Sequence, residues 1–200
     1  MKFLIGFITA ILFTFTVSAQ HGNAPAGKVN FGIKGGVNLY NIHNDLNTNY
    51  DSRIGYHFGL IGHIHFNNYF AFQPEIVYST QGAKYKVNSV DTKYNLDYIN
   101  IPLLFQYMFD NGFRIQAGPQ VGFLLSAKSK YNNSTIDNKN DLKPIDLSVS
   151  IGIGYIFPPS GFGIDARYNQ GISNINKNDT GNSNNRGFQF GIFYIFNHNG

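Results

Sequence analysis

The segment IGYHFGLIGHIHFNNYFAFQPEIVYS, residues 54–79, has the pattern of two strands joined by one tight turn. In its first half, apolar and aromatic residues alternate with glycine and histidine, and this period of two predicts a β-strand with one apolar face. Asn67-Asn68 supplies turn chemistry. In the second half, the rings of Phe70 and Phe72 alternate with polar residues that include Glu75. The segment therefore predicts a β-hairpin with one aromatic face and one polar face.

The same alternation recurs along the rest of the chain and predicts an all-β protein. Eight strands are predicted, at residues 30–40, 54–66, 69–82, 94–109, 112–126, 143–157, 161–170 and 187–196. Long polar connections are predicted at 41–53, 83–93, 127–142 and 171–186, and short turns at 67–68, 110–111 and 158–160. An even number of strands with all short turns at one end is the layout of a bacterial outer-membrane barrel. We therefore expect an eight-stranded antiparallel up-and-down transmembrane β-barrel, with short periplasmic turns, long extracellular loops and both mature termini in the periplasm.

The composition suits an exported barrel and excludes several function classes. The chain of 200 residues suits one domain, and its charged fraction of 13 % is about half of the usual share. No cysteine is present, which excludes a disulfide scaffold, a thiolate metal site and a catalytic thiol. The net charge of +4, without a compact basic patch, does not indicate nucleic-acid binding.

The N-terminus has the features of a secretory signal peptide. Lys2 precedes an uncharged run from Phe3 to Val17, and small residues follow at Ser18 and Ala19. This pattern predicts cleavage after Ala19. We therefore expect residues 1–19 to be removed and residues 20–200 to form a single barrel domain.

A soluble barrel of the lipocalin type is the alternative fold, and it would place the apolar face inside. The apolar face of this chain is crowded with rings such as Phe105 and Tyr107, and Tyr and Phe fall near strand ends, as in the aromatic girdles of membrane barrels. The last predicted strand, QFGIFYIF (189–196), also resembles the C-terminal signal that the outer-membrane assembly machinery recognises, although four residues follow it. These features favour the membrane barrel.

The polar face carries six charged residues whose parity places them inside the barrel. They are Lys34, Glu75, Arg114, Asp146, Asp165 and Arg167. Counted from the nearest short turn, Glu75 and Arg167 lie at similar heights on opposite sides of an eight-stranded ring. Such a ring is just wide enough for side chains to fill, and unpaired charges inside it are costly. We therefore predict a structural charge network that plugs the lumen, with no catalytic, cofactor or metal role.

Two other functions stay open on the sequence alone: a narrow channel for small solutes and a lipid A-modifying enzyme. An enzyme would need a serine, a histidine and an acid arranged for nucleophilic attack on the lipid side of the wall. The strand histidines His57, His63 and His65 have inward parity instead. No G-x-S-x-G turn and no obvious set of metal ligands accompanies them. We therefore expect no enzyme activity and no cofactor.

Prolines and long connections are the least regular parts of the pattern. Pro74, Pro102 and Pro119 fall inside predicted strands, although a closed barrel has no edge strand to hold them. Bulges are the usual accommodation, so we expect a bulge at each proline. The long connections are Asn-rich with few apolar anchors, and we expect a mobile, solvated surface that meets lipopolysaccharide through scattered lysines.

Several segments together resemble the PorT-like family of small outer-membrane β-barrel proteins. They are FGIKGGVN (31–38), FQPEIVYSTQGAKY (72–85), DYINIPLLFQY (97–107), IQAGPQVGFLL (115–125) and IDARYNQGISNI (164–175). The resemblance implies an eight-stranded outer-membrane barrel, and one member of the family is linked to protease export through a dedicated secretion system. The resemblance implies a secretion-system or envelope protein as a partner. The apolar wall, the loop lysines and the last strand imply outer-membrane lipids, lipopolysaccharide and the barrel assembly machinery. Asn100 stands where many relatives have an acid. If that acid takes part in the relatives' lumen charge network, the lumen charges of this chain must balance differently.

Overall fold

A computed structural model of the protein describes residues 29–45, 50–87, 90–131, 134–177 and 181–196, so the predicted signal peptide at 1–19 lies outside the described residues. Within these ranges the chain forms nine strands and one short 3-10 helix, Lys139–Asp141. The strands are β1 (Val29–Asn44), β2 (Asp51–His65), β3 (Phe70–Val87), β4 (Val90–Met108), β5 (Phe113–Tyr131), β6 (Ser134–Asp137), β7 (Ile145–Phe157), β8 (Phe162–Gly171) and β9 (Ser183–Ile195). In this part of the chain, no helix is long and apolar enough to cross a membrane.

Eight of these strands close into an antiparallel barrel, which confirms the predicted fold class. The strands β1 to β5 pair in chain order, β5 pairs with β7, β7 with β8 and β8 with β9, and β9 closes the ring by pairing with β1. The closing register runs from Gly32 opposite Ile195 to Asn44 opposite Ser183. The four-residue β6 pairs with the end of β5 and extends that strand pair outside the ring.

The strands run further at the long-loop end than the sequence indicated. β3 and β4 stay paired as far as Val87 opposite Val90, so the predicted loop at 83–93 is wrong and most of it is strand. β5 likewise continues to Tyr131 inside the predicted loop at 127–142. Beyond the bilayer neither face of a strand has to be apolar, so the alternation that marks a membrane strand fades there.

The two faces of the wall have opposite polarity. Outward side chains are apolar and exposed, as with Phe31 at 67 %, Ile54 at 70 % and Leu60 at 61 %. Inward side chains are mostly polar and buried, with Glu75 and Arg167 each exposed by only 2 %. This is the reverse of a lipocalin, and it matches a barrel whose outer wall meets lipid.

Rings line the outer wall near the short-turn end. Tyr107 stacks on Tyr69 at 6.2 Å and meets the edge of Phe109 at 4.9 Å between ring centroids. Tyr155 and Phe157 form a similar pair at 5.0 Å. Aromatic rings at this level are typical of the interfacial girdle of a membrane barrel.

The bulges predicted at the three prolines are wrong. The β3–β4 register is unbroken through Pro74, the β4–β5 register through Pro102 and the β5–β7 register through Pro119. Each proline instead leaves a two-residue gap in the ladder to the preceding strand, where its missing N–H would have donated. The pairing on the other side holds the register, so strand parity continues.

Irregular pairing occurs elsewhere in the wall. The register shifts between Ser52 and His57 in the β2–β3 pair and between Asp97 and Tyr98 in the β4–β5 pair. Both shifts lie toward the long-loop end, beyond the level of the prolines. The wall between the prolines and the short turns therefore keeps the alternation that the sequence shows.

Apolar side chains fill both ends of the barrel interior. The cluster at the short-turn end contains Ile61, Ile156, Phe193 and Ile195. The cluster at the long-loop end contains Ile42, Ala83, Leu96, Tyr98, Leu124, Ala127, Leu142 and Ile175. Leu142 and Ile175 belong to the connections, and the Lys143 N–H donates to the Ile175 carbonyl at 2.8 Å, which ties the two connections together. The long connections therefore have apolar anchors over the barrel mouth, although few apolar anchors were expected in them.

Candidate functional site

Four of the six charged residues predicted to lie in the lumen meet near the middle of the barrel. Lys34 Nζ lies 2.8 Å from Asp165 Oδ2 and 3.4 Å from Glu75 Oε2. Arg167 donates from Nη1 and Nη2 to the two carboxylate oxygens of Glu75, at 3.1 and 2.9 Å. Its Nη2 also lies 3.3 Å from Asp165 Oδ2. We call these four residues the four-charge cluster.

The cluster spans the lumen because its members come from different sides of the ring. Glu75 lies on β3, Asp165 and Arg167 lie on β8, and Lys34 on β1 lies between those sides. The four side chains are exposed by at most 6 %. Two cations and two carboxylates sum to zero charge, which is the condition under which buried ions are tolerated.

A line of side-chain amides continues from the cluster toward β5. Gln73 Nε2 donates to Glu75 Oε1 at 2.7 Å, and Gln106 Nε2 lies 2.9 Å from the amide oxygens of both Gln73 and Gln116. These neutral groups satisfy buried donors and acceptors without adding charge. Inward parity predicted that Gln73 lies in the lumen, whereas Gln106 and Gln116 were not predicted individually.

Glycines make room for the charged side chains. A Cβ at Gly191 on β9 would lie 2.8 Å from Asp165 Oδ1 and 3.1 Å from His57 Nε2. A Cβ at Gly36 on β1 would lie 2.9 Å from the His57 ring. The glycine-rich strands of the sequence therefore supply the space that the cluster occupies.

Arg114 and Asp146 lie apart from the cluster. Arg114 donates to Gln106 at 3.4 Å and its guanidinium carbon lies 5.1 Å from the Phe193 ring centroid, at the short-turn end. No carboxylate of the described residues lies in ion-pair range of it. Asp146 is nearer the long-loop end, where it accepts from Ser173 Oγ at 2.8 Å and Asn185 Nδ2 at 2.9 Å. The six residues thus form one cluster and two separate sites.

The histidines line the lumen. His57 Nδ1 lies 2.7 Å from Asn38 Oδ1, and the Nε2 atoms of His63 and His65 lie 3.3 Å apart. Among the described residues, no group of three or more His, Cys, Asp or Glu side chains is placed to hold a metal ion. Both carboxylates of the four-charge cluster are held by cations, so the chemistry available there is charge pairing.

A further polar layer lies between the cluster and the long-loop end. Asn169 Nδ2 donates to the Tyr40 hydroxyl at 2.8 Å, and Ser150 Oγ hydrogen-bonds Asn169 Oδ1. Tyr40 is exposed by 1 %. This layer was not predicted as a unit, because parity gives the side of the wall and not the height inside it.

Comparisons of fold place the chain among outer-membrane barrels. It is similar to Neisserial surface protein A (NspA), with 18 % identity, 83 % of this chain and 97 % of that chain covered, and a TM-score of 0.55. It is also similar to Ail, the attachment invasion locus protein of Yersinia pestis, with 15 % identity, 86 % and 99 % covered, and a TM-score of 0.55. At these identities the likeness concerns the fold alone. No curated protein matches the sequence at a significant level.

A family model extends the comparison from fold to sequence. The model described as outer membrane protein beta-barrel domain matches residues 18–177, well over half of the chain. This match and the barrel relatives support an integral location in the outer membrane. The chain belongs to the outer membrane protein beta-barrel domain family.

Proposed function

We propose that this protein is a non-enzymatic outer-membrane barrel whose lumen is plugged by its own side chains, and that it serves as a structural or interaction component of the envelope. The observation that supports this is the buried, charge-neutral four-charge cluster, which lies between two apolar clusters at the ends of the barrel. A plugged lumen leaves the outer wall and the long-loop end as the surfaces that meet other molecules.

A conductance measurement tests the plug. The refolded barrel in a planar bilayer is expected to give no current above that of the lipid alone. Steady unitary conductance from the wild-type protein would refute the plug and establish the narrow channel instead.

The proposed orientation puts the long connections outside the cell and both mature termini in the periplasm. Asn140, in the connection before β7, is an exposed position at the long-loop end. Because the chain has no cysteine, Asn140→Cys would create a single thiol. We expect a membrane-impermeant maleimide to label this thiol on intact cells. Labelling only after the outer membrane is permeabilised would refute the orientation.

The lipid A-modifying enzyme is tested independently of the plug. We expect a strain that lacks this protein to make lipid A with the same mass spectrum as its parent. A lost acyl chain or headgroup substituent, restored by the gene in trans, would establish the enzyme.

We further propose that the barrel belongs to the PorT-like group within its family and docks an envelope protein, such as a component of secretion machinery. The segments quoted above, from FGIKGGVN to IDARYNQGISNI, support the grouping. Crosslinking in intact cells followed by purification of the barrel should recover a defined envelope protein. Recovery of lipopolysaccharide and assembly factors alone would contradict a docking role.

A further inference from the structure

Three lysines stand directly opposite one another on neighbouring strands at the long-loop end. Lys84 on β3 pairs with Lys93 on β4, and Lys93 pairs with Lys130 on β5. All three are exposed, whereas the adjacent inward residues Ala83 and Ser129 are buried. The three side chains therefore project from the outer wall. We call them the lysine row.

The row is unfavourable for the barrel on its own. Directly opposed side chains have Cβ atoms about 5 Å apart, and like charges in that position repel. Asp51 on β2 opposes Lys84 at one end, but Lys93 has a lysine on both sides. Among the side chains that the structure describes, none forms an ion pair or hydrogen bond with an ammonium group of the row. Repulsion centred on Lys93, which no described side chain pairs with, points to an anion from outside the chain.

The height of the row suits the headgroups of the adjacent lipid leaflet. Leu125 is the last exposed aliphatic side chain of β5, and Lys130 lies five residues further on. Five residues span roughly 16 Å along a strand, or roughly 12 Å of height at the usual strand tilt. A lysine that reaches back toward the membrane places its ammonium lower still. The row thus lies just above the apolar belt, where lipid phosphates are found.

We propose that the lysine row binds the phosphate groups of lipid A, and that Lys93 is its central residue. The inference rests on the proposed orientation, in which the long-loop end faces the lipopolysaccharide leaflet. A membrane places these phosphates beside the wall at high local concentration, and their charge offsets the repulsion along the row. The same chemistry explains why three lysines are tolerated side by side on a barrel whose four-charge cluster pairs its own ions.

Titration of the refolded full barrel with purified diphosphoryl lipid A tests the assignment. The variant Lys84→Gln/Lys93→Gln/Lys130→Gln removes the row. The control variant replaces three exposed lysines of the connections, Lys139, Lys143 and Lys177, with glutamine. We expect the row variant to bind at least about tenfold more weakly than wild type and the control to bind as wild type does. Phosphatase-treated lipid A should bind wild type as weakly as intact lipid A binds the row variant.

Stability without lipid provides a second readout. Since the row repels itself, the row variant in lipid A-free detergent should melt at the same temperature as wild type or above it. A lower melting temperature would overturn the proposal, because the lysines would then have an internal structural role. Equal affinity of wild type and the row variant for lipid A would overturn it too, as would undiminished binding of the phosphatase-treated lipid.

Two further outcomes separate this proposal from its rivals. Tighter binding of a soluble sulfated polysaccharide than of lipid A, lost in the row variant, would overturn it in favour of a glycan site. Conductance by the wild-type barrel would refute the plugged lumen while the lipid A titration stayed interpretable. External labelling at Asn140 tests the orientation separately. The failure of each idea is thus distinguishable.

Discussion

Replacing Glu75 with glutamine removes one charge from the four-charge cluster at almost no change in shape. Glu75 accepts two hydrogen bonds from Arg167 and one from Gln73, and its side chain has no solvent exposure. After the change, Lys34 and Arg167 share a single carboxylate, Asp165, so one positive charge is buried without compensation. Breaking a buried ion pair in this way typically costs 3–5 kcal/mol, and glutamine still accepts a hydrogen bond. We therefore expect Glu75→Gln to lower the free energy of unfolding by about 3 kcal/mol.

A double-mutant cycle shows whether this loss comes from the pair. Arg167→Met alone should be destabilising by a similar amount, because it leaves two carboxylates on Lys34. The combination restores neutrality and keeps the Lys34–Asp165 contact at 2.8 Å. It should therefore cost less than the sum of the single changes, by about 2 kcal/mol.

The assay is urea unfolding of the barrel in lipid vesicles, followed by the mobility difference between folded and unfolded forms on unheated gels. Asp137→Asn is the matched control, since Asp137 is exposed on β6 opposite Lys128 and should change stability by less than about 0.5 kcal/mol. If Glu75→Gln unfolds within about 0.5 kcal/mol of wild type, or if the cycle is additive, the cluster does not stabilise the barrel by ion pairing.

Three further predictions use the same unfolding assay or proteolysis. Arg114→Met should change stability by less than about 1 kcal/mol. No described carboxylate pairs with Arg114, and a buried ion is often replaceable by an apolar side chain. A loss above about 3 kcal/mol would show an ion pair that the geometry lacks. Gly191→Ala should lower the free energy of unfolding by roughly 1–3 kcal/mol, because the new Cβ would lie 2.8 Å from an Asp165 oxygen. Gly35→Ala is the control and should change it little, because its nearest contact would be 3.6 Å away. Equal effects of the two changes would contradict the packing argument. Leu142→Ala should loosen the connection before β7 from the barrel mouth and speed its proteolysis, without changing the strand signal in circular dichroism. An unchanged cleavage rate would show that other contacts hold this connection.

The part of the fold that lies in the membrane could be predicted because lipid imposes the alternation. Every outward residue there must be apolar and every inward one must fit a narrow lumen, so parity assigns Glu75 and Arg167 to the interior. Counting from the short turns then brought them to the same height across the ring. The structure places them in contact through two hydrogen bonds.

Other features left no periodic signal. The prolines were expected to shift the register because a missing N–H normally interrupts a ladder. At Pro74 the ladder to β4 is intact and holds the strand in register while the ladder to β2 is interrupted. That outcome depends on which neighbour the nitrogen faces, and parity alone does not reveal it. Leu142 and Ile175 lie among mostly polar residues in long connections, so their docking over the lumen depends on tertiary contacts.

Asp146 and Arg114 show a further limit of parity. Both point inward as predicted, yet neither joins the four-charge cluster, because parity gives the side of the wall and not the height inside it. Asp146 is held by Ser173 and Asn185 near the mouth, and Arg114 lies over the Phe193 ring near the short turns. Height follows from the register and stagger of each strand pair, which the sequence specifies only where turns are short.

The placement of charge separates stability from recognition in this barrel. Inside, cations and carboxylates pair until the four-charge cluster is neutral. Outside, at the long-loop end, Lys84, Lys93 and Lys130 stand together with a single opposed acid, Asp51. A wall shaped by stability alone would disperse these lysines or pair them with acids, as the ions of the four-charge cluster are paired. Variants in the lumen should therefore lower stability and leave lipid A binding unaltered. Variants in the lysine row should weaken lipid A binding without lowering stability. A lumen variant that folds but loses lipid A binding would contradict this separation.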